Sequence, residues 1–311
     1  MVPNSDPADS PRGVAARCGF VAVIGAPNAG KSTLVNALVG AKVSIVTRKV
    51  QTTRAPVRGV LTEGTSQLVF TDTPGIFEPR RRLDRAMVEA AWAGAVDADI
   101  VLALVDAAQG RTEEVDRILS GLPGVKGGKV LVLNKIDRVK KPELLALADE
   151  LAPRAGFTDV FMISALTGDG LADLKQHLLR IAPEGPWHFP ADELSDLSPR
   201  LLAAEVTREK IYERLHEELP YASTVETTGW EERKDGSVRI EQTIYVERDS
   251  QKAIVIGAGG QTIKHISMEA RKETAALLER PVHLFLFVKV RPRWGEDPER
   301  YREMGLEYPK D

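Results

Sequence analysis

Short apolar runs recur along the first half of the chain, each followed by a longer stretch with helical spacing. Phe20–Ile24, Val57–Thr62, Gln67–Thr71, Ile100–Val105, Val130–Asn134 and Val160–Ile163 read as strands. Their alternation with helices predicts a mostly parallel sheet covered on both faces, over residues 18–182. The pair Glu63-Gly64 between the second and third runs predicts a hairpin, hence one antiparallel edge strand. Residues 183–199, interrupted by Pro183, Pro186, Pro190 and Pro199, read as a linker. Ser198 as N-cap, with Pro199 at the first helical position, then opens a helix to about Leu219. Two strand patterns follow, YASTVETTGWEER and SVRIEQTIYVER, joined by the turn Lys234-Asp235-Gly236. After them come a short helical run QKAIVIG, a glycine-rich tetrapeptide, a long helix and the strand VHLFLFVKV. In the long helix Ile263, Ile266, Ala270, Thr274 and Leu277 share one face. The pattern therefore predicts a second, α+β domain over residues 200–293, with an acidic, aromatic tail of loose helix and coil at 294–311.

Composition narrows the class. With 311 residues, 43% hydrophobic and 28% charged, the chain has the make-up of a soluble globular protein of two domains. A single cysteine, Cys18, excludes an internal disulfide and suits a reducing cytosol. Residues 1–17 are polar and proline-rich without the apolar core of a secretory signal, and read as a disordered tail. No run approaches the roughly 18 apolar residues that a membrane span needs. The net charge of −3 carries no global sign of nucleic acid, so any such site must be a local patch. The five histidines (His177, His188, His216, His265, His283) have no ligand spacing.

Three short segments carry chemistry. Gly25-Ala26-Pro27-Asn28-Ala29-Gly30-Lys31-Ser32 has the spacing Gly-x-x-x-x-Gly-Lys-Ser between a strand and a helix that continues through Thr33, the setting of a phosphate-binding loop. Gly25 and Gly30 let backbone N–H groups turn inward, and the helix N-terminus adds its positive end. Lys31 then reaches the β- and γ-phosphates, and Ser32 ligates Mg²⁺. Asp72-Thr73-Pro74-Gly75 follows a strand, so Asp72 suits the Mg²⁺ shell and Gly75 offers an N–H to the γ-phosphate. Alone, such a tetrapeptide is also a common turn. Asn134-Lys135-Ile136-Asp137 discriminates between bases, because Asp137 accepts both N1–H and N2–H₂ of guanine, a donor pair that adenine lacks. The Lys135 stem lies against the base and Asn134 ties the segment to the phosphate loop. Ile163-Ser164-Ala165 adds a backbone N–H for guanine O6. An ATPase or kinase is disfavoured by this third segment.

The order of these motifs, with Gln51-Thr52-Thr53-Arg54 between the first two, resembles the Era branch of the translation-factor-related GTPases, from Cys18 to about Tyr301. The resemblance implies that Thr53, or its neighbour Thr52, closes on Mg²⁺ and the γ-phosphate. Ile76 stands where Ras-type enzymes carry a water-orienting Gln, which implies slow hydrolysis. Asn28 matches an Asn that serves K⁺ coordination in several relatives; shaping the loop is the equal alternative. Phe77–Leu83, with three arginines, is the second switch or simply a solvated face.

In the second domain the order α-β-β-α-α-β, with Gly257-Ala258-Gly259-Gly260 between the last two helices, resembles a type II KH domain. Such a loop approaches a single-stranded RNA backbone closely. From Arg248 to Arg293 nine Lys/Arg face four Asp/Glu, among them Lys252, Lys264, Arg271, Lys272, Lys289, Arg291 and Arg293. Ala258 and Gly259 stand where relatives often carry a lysine in the loop; close backbone approach survives this departure, which bears on one phosphate contact only. Trp294 is read as packing in the core, with RNA stacking as the alternative. The expected whole is an α/β P-loop GTPase domain followed by a type II KH domain. The resemblance implies a cytoplasmic, monomeric GTP/GDP switch that uses Mg²⁺ and K⁺, binds the 3′ end of 16S rRNA and assists assembly of the 30S subunit. Some relatives also visit the inner face of the membrane. The competing reading is a GTPase switch whose second domain binds a protein or a membrane surface.

Overall fold

A strand covered on both faces has no solvent side and reads as unbroken apolar sequence. Such a strand is β4, Ile100–Asp106, buried at every position. The computed structural model describes residues 15–47, 49, 52–215 and 219–309; Gln51, His216 and the first 14 residues of the expected tail lie outside the described residues. Around β4 lie β1 (Arg17–Gly25), β2 (Val57–Glu63), β3 (Ser66–Asp72), β5 (Gly128–Asn134) and β6 (Asp159–Met162). They form one sheet in the order β2-β3-β1-β4-β5-β6. All neighbours are parallel except β2, which returns antiparallel to β3 through Gly64 at φ 61°. Every strand expected from the apolar runs is present. β1, however, already begins at Arg17, because its amide donates to Thr65.

Alternate side chains of β1 divide between two apolar layers. Val21 and Val23 pack with α1 (Lys31–Val39) and α5 (Leu171–Ile181). Ala22 and Ile24 pack with α2 (Arg82–Asp97), α3 (Glu113–Gly121) and α4 (Lys141–Leu151). Because β1, β3, β4 and β5 run the same way, their last residues Gly25, Asp72, Asp106 and Asn134 emerge along one edge of the sheet.

The second unit begins with α6 (Pro199–Arg214), capped by the Ser198 hydroxyl, which accepts from the Leu201 amide at 3.4 Å. The helix ends five residues before the expected Leu219, since Leu215 turns to an extended backbone. β7 (Ser223–Glu232) and β8 (Val238–Val246) are antiparallel, with the Asp235 carboxylate accepting the Ser237 amide and hydroxyl in their turn. α7 (Asp249–Ile256) and α8 (Gln261–Leu277) follow, and β9 (Val282–Val290) lies parallel to β8. Ile266, Ala270 and Thr274 of α8 are buried, as their spacing requires.

The segment between the two units is laid along the first sheet. The Val60 amide donates to Leu194, Gln67 holds the 188–189 backbone, and the Trp187 indole donates to the Thr65 carbonyl. After β9, Pro298–Glu303 forms α9 and the coil beyond it packs back onto α2, burying Tyr301 and Leu306 against Ala86 and Met87. No helix among the described residues is long and apolar enough to cross a membrane.

Candidate nucleotide site and RNA-binding face

The strand ends of the first sheet open on a cavity of about 840 Å³. At its floor β1 passes into α1 through a loop whose glycines answer different needs. Gly30 has φ 100°, and a Cβ there would meet the Asn134 amide nitrogen at 2.4 Å. Gly25 is required for clearance instead, since a Cβ would lie 2.6 Å from the Leu104 carbonyl. Lys31 Nζ donates to the Gly25 and Ala26 carbonyls at 3.1 and 3.0 Å. Burial pushes its ammonium down to about 8, although Asp72 pulls the other way.

The guanine segment is fastened to this loop. Asn134 Nδ2 donates to the Ala29 carbonyl at 2.8 Å, while its Oδ1 accepts the Ala165 amide at 2.9 Å. Lys135 Nζ donates to the Asn28 carbonyl at 2.7 Å and to Asp106 Oδ2 at 2.6 Å. Both Asn28 and Lys135 hold positive φ, 62° and 67°. Asp137 accepts the Ser164 hydroxyl at 2.6 Å.

Three hard oxygens converge beside the loop. Asp72 is fully buried, and its Oδ2 accepts from Ser32 Oγ at 2.7 Å and Thr53 Oγ1 at 3.0 Å; the two hydroxyls are 3.0 Å apart. Asp72 Oδ1 is buried with no hydrogen-bond partner. Burial pushes this carboxyl up, against the Ser32 hydrogen bond and the Lys31 charge. A buried carboxylate with an unused oxygen beside two hydroxyls is a donor set that fits Mg²⁺. Of the two candidate threonines, Thr53 sits here, whereas the Thr52 hydroxyl donates to the Lys49 carbonyl at 2.9 Å.

In the second unit Gly257, Gly259 and Gly260 all have positive φ, at 75°, 58° and 75°. They bend the chain between α7 and α8, with Ala258, Gly259 and the ends of Lys264, Arg271 and Lys272 exposed.

Two family models match this chain, 50S ribosome-binding GTPase over residues 20–135 and KH domain over residues 218–295. GTPase Era of Afipia carboxidovorans is 63% identical over 295 residues, covering 95% of this chain and 96% of that relative. GTPase Era of Brucella suis is 64% identical over 293 residues, 94% of each. The chain belongs to the Era family of GTPases. Among solved structures, Era in complex with MgGDPNP and nucleotides 1506–1542 of 16S ribosomal RNA is 38% identical, with a TM-score of 0.89 over 93% of this chain and 99% of that one. A variant of Aquifex aeolicus Era bound to GDP and aluminium fluoride is 39% identical, with a TM-score of 0.88. As an Era-family GTPase the chain binds GTP and GDP and hydrolyses GTP.

Of the nucleotide residues expected in this Era-family site, Pro27, Asn28, Gly30, Lys31, Ser32, Thr33, Thr53, Thr73, Gly75, Asn134, Lys135, Asp137 and Ala165 line the cavity. Gly25, Ala26, Ala29, Asp72, Pro74, Ile136 and Ser164 do not line it. Ile76 does not line the cavity either: its amide donates to the Gly25 carbonyl, and its side chain is fully buried with Ile24 and Val105. An alkyl group gains more from that core than from a polar cavity. The Ala165 amide, expected to face guanine O6, donates to Asn134, so a base carbonyl has to share that proton.

The basic patch needs correcting too. Leu284, Leu286, Val288 and Val290 pack inward beneath the helices, so Lys289 and Arg291 project from the opposite face of the sheet. Arg291 is moreover paired with Asp297. Lys252, half-buried on α7, stays on the helical side with Lys264, Arg271 and Lys272. Trp294 is core, 3% exposed, its indole donating to the Ala222 carbonyl at 2.9 Å. Sequence reasoning missed Asp106, the carboxylate that holds Lys135. The sequence shows only that Asp106 ends an apolar run; the register that sets it beside Asn134 comes from the fold.

Proposed function

We propose that this chain is a guanine-nucleotide switch whose KH domain holds single-stranded RNA at the 3′ end of 16S rRNA and assists 30S subunit assembly. The observation that carries the reading is the loop Gly257–Gly260 between two helices, whose three glycines hold positive φ and which is flanked by exposed Lys264, Arg271 and Lys272. The complex formed by the Era relative with 16S nucleotides 1506–1542 supports the choice of RNA.

In the GTPase domain Lys31 holds the β- and γ-phosphates, and Asp137 reads the base while Lys135 lies along it. Mg²⁺ would be held by Ser32, Thr53 and Asp72, and when bound it neutralises charge on the phosphates. Asn28, exposed in the loop, is assigned to a monovalent cation, K⁺, that assists slow hydrolysis. Ile76, withdrawn into the core, leaves the loop without a side chain that orients water. The chain acts as a monomer in the cytoplasm, and any membrane contact is peripheral.

The test is fluorescence anisotropy with a labelled RNA of the 16S 3′ end and a scrambled RNA of equal composition. The full chain is loaded with a non-hydrolysable GTP analogue or with GDP. Tighter binding of the 16S sequence, stronger with the GTP analogue, is expected. Equal affinity for both RNAs refutes the reading.

A further inference from the structure

The loop that carries Thr53 is held from the second domain on both sides of that residue. On one side the Thr52 carbonyl accepts Arg208 Nη2 at 2.5 Å; Arg208 belongs to α6 and is itself paired with Glu205. On the other side the Arg54 guanidinium leaves the GTPase domain altogether. Its Nη1 donates to the Ser223 carbonyl at 2.8 Å, and its Nη2 to the Tyr212 hydroxyl at 3.1 Å and the Pro220 carbonyl at 3.2 Å. The rings of Tyr212 and Trp294 lie 5.9 and 5.4 Å from its central carbon. Arg54 is 6% exposed, and its direct hydrogen-bond acceptors are carbonyls and a phenol rather than a carboxylate.

A guanidinium buried this way is costly in water-excluded surroundings, so contact-making alone does not account for it. Its planar fork satisfies several carbonyls in one fixed orientation, which a lysine cannot do. Orientation is what the neighbouring residue needs. Thr53 Oγ1 must stand within 3.0 Å of both Ser32 Oγ and Asp72 Oδ2, and only one peptide separates it from each anchor.

We propose that Arg54 is a positioning residue of the nucleotide site, through which the second domain sets Thr53 in the Mg²⁺ shell. The GTPase domain thus borrows the rigidity of α6 and the start of β7 to hold one of its own ligands. This rests on reading Thr53 as a ligand of the metal. By linkage, whatever shifts α6 shifts the Mg²⁺ requirement of the triphosphate state, and the reverse holds equally.

The experiment uses the full chain with the variants Thr53→Ala, Arg54→Ala, Arg54→Lys, Tyr212→Phe and the double variant Thr53→Ala/Arg54→Ala. Mg²⁺ is titrated into each with a fluorescent non-hydrolysable GTP analogue, and separately with fluorescent GDP. Arg54→Ala is expected to raise the Mg²⁺ needed for half-maximal analogue binding about tenfold, as the loss of an anchoring hydrogen-bond set implies. Arg54→Lys should behave like Arg54→Ala, and Tyr212→Phe, which keeps the ring, should shift the midpoint in the same direction by less. GDP binding should stay within about twofold, and the double variant should be no worse than Thr53→Ala alone. If Thr53→Ala itself leaves the Mg²⁺ midpoint unchanged, the reading of Thr53 fails. If Thr53→Ala shifts it while the Arg54 variants do not, or the two effects add, Arg54 does not act through Thr53. Should Arg54→Ala unfold, as circular dichroism would reveal, Tyr212→Phe decides alone: no shift in its midpoint overturns the proposal.

Discussion

Asp137 stands at the solvent side of the cavity with one carboxylate oxygen accepting from Ser164 at 2.6 Å. Replacing it by Asn keeps an acceptor for Ser164 but turns the other oxygen into a donor, so guanine N1–H and N2–H₂ no longer both find partners. A polar group left unpaired costs about 1–3 kcal/mol. GTP affinity of Asp137→Asn should therefore fall at least about tenfold while XTP affinity rises, because xanthine offers a carbonyl at position 2. Paired titrations of GTP and XTP check this, and an unchanged preference for GTP contradicts the base assignment. Asn28 supports a second expectation at this scale. Turnover should be higher in KCl than in NaCl at equal ionic strength, and Asn28→Ala should erase the difference; equal rates in wild type make Asn28 a loop-shaping residue only. Single residues were also where the sequence was least legible. Asp106 carries no motif, and its role follows only from the register that sets β4 beside β5.

Elements were legible where one period held throughout. The buried strands of the first sheet could be read as unbroken apolar runs because both of their faces are covered, and the stripe of α8 from its spacing because one face of that helix is buried. Counting charges along β9 failed for the same reason in reverse: a period of two sends Lys289 away from the face that Leu286 and Val288 cover. The end of α6 was overextended because residues beyond Arg214 remain apolar in part while Leu215 leaves the helix to bury itself. The glycine loop offers a test at this scale. A Cβ at Gly257 would lie 2.1 Å from Thr262 Oγ1, so substitution there damages the turn itself, whereas Gly260 has nothing within 4 Å. Gly260→Asp then costs only the strain of a positive φ, about 1–2 kcal/mol, and places a negative charge where phosphate would pass. RNA affinity should be nearly abolished with GTP affinity unchanged. A folded Gly260→Asp protein that binds RNA normally removes the KH loop from the interface.

At the scale of the whole molecule the two units are joined by more than a tether. Lys42, ahead of Thr53 in the chain, pairs with Glu209 of α6 and Glu273 of α8, and the C-terminal coil returns to α2. None of this was visible in the sequence, because contacts between distant segments leave no periodicity. The stretch 183–199, read from its prolines as a linker, also bears on how the protein is expected to behave among its own copies. β2 is an outermost strand, and an open strand edge is a template for pairing with another chain. Leu194 and Ser195 occupy that edge, with the Ser195 hydroxyl donating to the Arg58 carbonyl at 2.9 Å, and the intervening prolines cannot extend the ladder further. A shortened chain ending at Ala182 should expose the edge and self-associate in light scattering, while one ending at Leu197 should stay monomeric. Equal behaviour of the two would remove this role from the segment. Self-association of the shorter chain alone would give the connection between the domains a second task, that of keeping the sheet that holds the nucleotide from growing into its neighbours.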